Sequence, residues 1–165
     1  MAINDALLPE YDREMALTRR VIERITDPHL PWRPEEKSVT VARLATHVAE
    51  LPLWSLSILE QSSFDAEAYP DHRQEAASCA AILELFDRNV IATRAALAAR
   101  TDGEYLARWT FRKEGRTVFS LPKAAVIRTM VLNHIIHHRG ELTVYLRLLG
   151  VHVPPLYGPS EGDSV

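Results

Sequence analysis

Two histidines four residues apart, His134 and His138, stand in the run Leu132-Asn133-His134-Ile135-Ile136-His137-His138-Arg139-Gly140-Glu141-Leu142. On a helix that spacing aims two imidazoles from one face at a common point, as a single divalent cation requires. A third histidine, His47, lies in the middle of an earlier apolar stripe made by Leu44, Leu51, Trp54 and Ile58. Three neutral imidazoles from two helices leave one tetrahedral position open, as in catalytic rather than closed structural zinc sites. Such an ion lowers the pKa of a bound water or thiol and polarises an electrophile. The competing explanation is a set of hydrogen-bonded core histidines, because H-x-x-x-H pairs arise by chance in many helices. The chain has no H-E-x-x-H motif, so metal-dependent peptide hydrolysis has little support.

On the helical wheel Glu141 falls about 20° from His134, on the side away from His138. Ile127, Met130, Val131, Tyr145 and Leu149 share that sector, so the face points inward. Glu141 is placed to orient a ligand imidazole or to accept a proton. Tyr145 can offer a hydrogen bond to a substrate or simply fill the core. His137 falls about 60° off the stripe and belongs at the edge or the surface.

Four long helices must carry these residues. The first is expected from about Asp5 to Ile25, ending at Asp27-Pro28, since the residue before a proline leaves the α region. A proline-rich loop with Trp32 leads to a second helix, about Val41 to Gln61, capped by Ser38 or Thr40 and kinked at Pro52. The third, alanine-rich, runs from about His72 to Ala99. Aromatic and β-branched residues on either side of Lys113-Glu114-Gly115-Arg116 predict a small hairpin or extended excursion. Leu121-Pro122 then opens the fourth helix and Gly150 ends it. The fold class is therefore all-α, a four-helix bundle with a short insertion before the last helix, forming a single domain over residues 1–165.

The 165 residues suit one domain, and 47% apolar with 25% charged residues is the balance of an ordinary globular protein. A net charge of −3 lacks the basic footprint of a nucleic-acid binder. No apolar run is long enough to span a membrane. Cys79 is the single cysteine, and Met1 to Asp5 lack the features of a signal peptide, so the cytoplasm is expected.

The closing run from His134 to Leu142, followed by Tyr145-Leu146-Arg147-Leu148-Leu149-Gly150, resembles the DinB-like (YfiT-type) metalloenzymes. The tail Val153-Pro154-Pro155-Leu156-Tyr157-Gly158-Pro159-Ser160 is similar to that of one branch of the family, and the layout of the helices agrees over nearly the whole chain. The resemblance implies an up-down-down-up bundle with one divalent ion, Zn²⁺ or Ni²⁺, on His47, His134 and His138. Glu141 stands where the family often has glutamine, which adds a carboxylate beside the ion. Characterised relatives include transferases and isomerases that use low-molecular-weight thiols. The expected function is thus activation of a thiol or water toward a small-molecule electrophile. The alternative is a non-catalytic, metal-stabilised bundle acting as a stress-related binding protein.

Of the remaining residues, Trp32, Trp54 and Trp109 can line a pocket, though core and loop anchoring is the simpler role for at least two of them. Arg139 can bind an anionic thiol, but a salt bridge to another helix is the expected role. Cys79 reads as a small, inert core residue. Val126, Leu132, Ile135 and Ile136 make the last helix apolar nearly all round, which predicts a homodimer.

Overall fold

The computed structural model of the chain describes residues 2–68 and 74–160. Helix α1 (Ile3–Ile22) buries Leu7, Tyr11, Met15, Thr18 and Ile22, a stripe at three- and four-residue spacing. It stops three residues short of the expected Ile25, which packs into the core from the following turn.

Helix α2 (Val41–Glu50) starts at Thr40, whose hydroxyl accepts from the Arg43 N–H at 3.0 Å. The expected kink at Pro52 is a 3₁₀ turn over Leu51–Leu53, after which α3 (Trp54–Glu60) continues. Proline removes one N–H from the helical ladder there, which leaves backbone carbonyls in need of donors. Helix α4 (Cys79–Ala98) supplies them: Asn89 donates to the Ala49 carbonyl at 2.8 Å and Thr93 to the Pro52 carbonyl at 2.8 Å. Ser78 caps α4 at its first turn, and the expected start at His72 lies outside the described residues.

The hairpin expected before the last helix is present, preceded by a short helix α5 (Asp102–Leu106). Strands β2 (Arg108–Lys113) and β3 (Arg116–Pro122) pair antiparallel, joined through Glu114 (φ 52°) and Gly115 (φ 69°). Positive φ at both central residues is the turn geometry that follows the twist of a two-residue hairpin, and glycine takes it without strain. The all-α expectation is corrected by a third strand, β1 (Ser63–Asp65), which runs parallel to β2 with Phe64 opposite Phe111. A lone hairpin leaves its edges unpaired, and the segment after α3 covers one of them. Phe64, Phe111 and Phe119 stack beside Trp109, which is fully buried, and Trp54 of α3 meets Phe64 at 5.0 Å between ring centres. This aromatic layer ties the sheet to the helices.

The last helix is not uniform. Helix α6 (Lys123–Ile127) passes into a π turn over Arg128–Leu132, where the Asn133 N–H bonds to the Arg128 carbonyl five residues back. Helix α7 (Asn133–Leu148) follows, and Gly150 (φ 73°) ends it. Arg128 pairs with Glu10 and Arg139 with Glu14, so α7 runs in the same direction as α1. Lys123 donates to the Leu59 carbonyl and Tyr145 to the Val39 carbonyl, so the α2–α3 column runs against α7. Arg94–Asp12 and Arg19–Asp87 set α4 against α1. Each of α1 and α2 packs on both α4 and α7. Between them lies the core, with Tyr11, Val48, Ile58, Phe86, Val131 and Leu142 fully or almost fully buried. Val126, Leu132 and Ile135 belong to it as well, so the chain encloses most of the face from which a dimer was expected. Among the described residues, no helix is long and apolar enough to cross a membrane.

Candidate metal centre

His47 sits on α2 just ahead of the carbonyls that Asn89 and Thr93 hold. His134 is the second residue of α7, immediately after the π turn, and His138 follows one turn later. The expected trio converges. Ring centres are 5.2 Å apart for His47 and His134, 4.9 Å for His47 and His138, and 4.6 Å for His134 and His138. One ligand nitrogen from each lies within 4.8 Å of the other two, and all three rings are partly buried.

The protonation of His47 and His134 suits a cation. Burial, then the charges of His138 and His134, and then Arg43 pull the His47 imidazolium down to about pKa 4. His134 is lowered too, chiefly by burial and then by His138. Both rings are neutral near pH 7 and present lone pairs. Glu141 Oε2 lies 2.6 Å from His138 Nδ1, which fixes the proton of that ring on the carboxylate side and frees Nε2. The Met130 carbonyl, one turn back in the π turn, accepts from the His134 ring. The Nε2 atoms of His134 and His138 then face each other at 2.8 Å. Two imidazole lone pairs at that separation require a proton or a cation between them. Three imidazoles are a donor set that could hold a divalent metal ion.

The other expected residues divide. Glu141 joins the site through His138 and also reaches His137 Nε2 at 3.3 Å. Tyr145 has partners of its own: its ring meets the edge of Trp32 at 5.5 Å and its hydroxyl donates to the Val39 carbonyl at 3.4 Å. Arg139 is locked away from any substrate. Its guanidinium, 1% exposed, donates to Glu14 Oε2 at 2.7 Å, to the Thr18 hydroxyl and to the Tyr157 hydroxyl. Burial pushes the Cys79 thiol up to about 12, which leaves it unreactive. Trp109 is an anchor, while Trp32 and Trp54 are half-buried.

Sequence reasoning passed over Arg43, one turn before His47 on α2. Its side chain is 17% exposed, leans on Glu50 at 3.4 Å and donates to the Gln74 carbonyl at 3.1 Å. The Arg-x-x-x-His spacing was the available signal, since residues four apart share a face. The π turn has no comparable sequence signature.

Comparison with known proteins extends these observations. The chain is 26% identical over 161 residues to the uncharacterised protein YrdA of Bacillus subtilis (strain 168), spanning 96% of this chain and 90% of that protein. A crystal structure of a DinB-like protein from Bacillus cereus ATCC 10987 superposes with a TM-score of 0.72 at 24% identity, covering 94% of this chain and 98% of that one. The DinB-like protein YjoA of Bacillus subtilis gives 0.70 at 20% identity, covering 92% and 98%. At those identities the two structures speak for the fold. The sequence model of the DinB family matches residues 2–164. With the match running over nearly its whole length, the chain belongs to the DinB family.

Proposed function

We propose that this protein is a divalent-metal-dependent enzyme in which His47, His134 and His138 hold one ion, Zn²⁺ or Ni²⁺, on an up-down-down-up four-helix bundle. The observation that carries this reading is the meeting of three partly buried imidazoles at one point, with Glu141 fixing the proton of His138 on the far side of its ring. Three protein ligands leave a position for a substrate atom, which separates this set from a closed structural site. An ion bound there lowers the pKa of a thiol or water and polarises a small electrophile.

The side chains divide the remaining work. His47 and His134 stay neutral because burial opposes their protonation, so they remain available as donors. Glu141 keeps His138 in the ligating tautomer by accepting its Nδ1 proton. Arg43 brings positive charge to the His47 side, which suits a thiol that carries a carboxylate. Arg139 cannot serve that purpose, since it is committed to Glu14. Tyr145, held by Val39 and Trp32, serves as an anchor between α7 and the loop before α2 rather than as a proton carrier. The partner is a small molecule, with a low-molecular-weight thiol as co-substrate, in the cytoplasm. We propose a homodimer as well, for which the exposed Val144 and Leu148 of α7 remain after Val126, Leu132 and Ile135 are enclosed; sedimentation of the tag-free chain tests it.

Metal content by mass spectrometry, on the tag-free chain beside a His134→Ala/His138→Ala variant, tests the site. The expected result is about one equivalent in the native chain, lost in the variant, followed by thiol-dependent turnover in a transferase screen. Failure of Zn²⁺, Ni²⁺ and Mn²⁺ alike to load either chain overturns the reading.

A further inference from the structure

Glu141 divides its carboxylate between two histidines. Oε2 faces His138 Nδ1 at 2.6 Å, while Oε1 faces His137 Nε2 at 3.3 Å on the outer side of α7. The His137 side chain is 65% exposed and that of Glu141 44%, against 18% for His138, so the outer pair opens to solvent. Donor atoms of His137, His138 and Glu141 all lie within 4.8 Å of one another. An exposed His–Glu pair contributes little to stability, so its replacement by a cation bridge costs the fold almost nothing. Imidazole and carboxylate at i and i+4 form a chelating pair for borderline divalent ions, with water filling the remaining positions.

We propose that His137 Nε2 and Glu141 Oε1 form a second, outward-facing divalent-cation site beside the three-histidine cluster, with Glu141 common to both. Two protein ligands in place of three make it the weaker site. A cation on Oε1 draws charge from the Oε2 contact to His138 and so reduces the basicity of that inner ligand. The outer site thereby reports the supply of free metal to the inner one. Only this coupling rests on the inner-site reading; the outer site stands on its own geometry.

Co²⁺ titrated into the tag-free full chain tests the proposal, followed by visible absorption and by metal content after equilibrium dialysis. The native chain is expected to show a tight and a weaker class, and the tight-site band shifts as the weaker class fills. His137→Ala, an exposed substitution, keeps the tight class, weakens the other at least about tenfold and abolishes the shift. A His47→Ala/His134→Ala variant keeps the weaker class and loses the tight one. A weaker class of unchanged affinity in His137→Ala, or a single class in the native chain, overturns the proposal. A tight class that survives loss of His47 and His134 overturns the inner-site reading instead, while the His137 comparison still decides the outer site.

Discussion

The Nε2 atoms of His134 and His138 lie 2.8 Å apart on rings from successive turns of one helix. Burial, and after it the neighbouring ligand rings, opposes the charged imidazolium of His47 and of His134. The consequence is a stability that depends on pH in the metal-free chain. His47 and His134 have folded-state pKa values below the ordinary 6.5, His47 near 4. Between those limits the unfolded chain binds more protons than the folded one, so stability falls as pH drops from about 6.5 toward about 4. Thermal unfolding of chelator-treated protein across that window should show the decline, and His47→Gln should flatten it. A flat native profile contradicts the assignment.

Glu141→Gln preserves the shape of the side chain and removes its charge. A loss of metal affinity of about 10–100-fold is expected, because the carboxylate orients His138 and raises its basicity. Circular dichroism should be unchanged, since the side chain is 44% exposed. Competition against a chromophoric chelator measures the effect, and an unaltered affinity shows that His138 needs no such support.

The Arg139–Glu14 pair joins α7 to α1 inside the core. Arg139→Met leaves a buried carboxylate without its partner and should cost about 3–5 kcal/mol in urea unfolding. Tyr157→Phe keeps the Arg139–Glu14 pair but deletes the two 2.6 Å hydrogen bonds of the tail hydroxyl, the one it donates to Glu14 and the one it accepts from Arg139, and should cost about 1.5–3 kcal/mol. It should also speed proteolysis of the tail after Val153 before any global unfolding. Equal losses in the two variants would deny the pair its dominant role.

Asn89 places its amide on the Ala49 carbonyl, two residues beyond His47. Asn89→Ala leaves that carbonyl unsatisfied in the core, at a cost of about 1–3 kcal/mol. Because the carbonyl belongs to the turn that carries His47, metal affinity should fall as well. Thr93→Val, one turn further from the ligand, should lose comparable stability with a smaller effect on affinity. Equal affinity losses would show that the clamp does not orient His47.

What could be read from the chain alone divides by range. His134, His138 and Glu141 form a local pattern, and helical periodicity places them together whatever the rest of the fold does. Pro52, the Glu114-Gly115 turn and Gly150 are punctuation of the same local kind. The meeting of His47 with the pair is non-local; two inward-facing stripes suggest it, and the family resemblance named the partners. The parallel pairing of Ser63–Asp65 with β2 left no trace, since three residues of strand carry no alternation to detect. Glu14 was open to discovery, as a carboxylate among Tyr11, Met15 and Thr18 signals a buried partner. Which arginine answers it depends on the relative direction of α1 and α7.

The π turn at Arg128–Leu132 separates two tasks within one helix. Upstream, α6 is tethered to the sheet and to α3, where Lys123 fixes its azimuth. Downstream, α7 has to point two imidazoles at a partner on a different helix. An ordinary α-helix couples those orientations rigidly, so that any change in the footing would swing the ligands with it. One extra residue in a turn introduces a phase offset of about 100°. Anchor and aim can therefore drift independently over evolutionary time. Deleting a single residue from this turn should leave a helix that is more regular and a cluster that no longer converges.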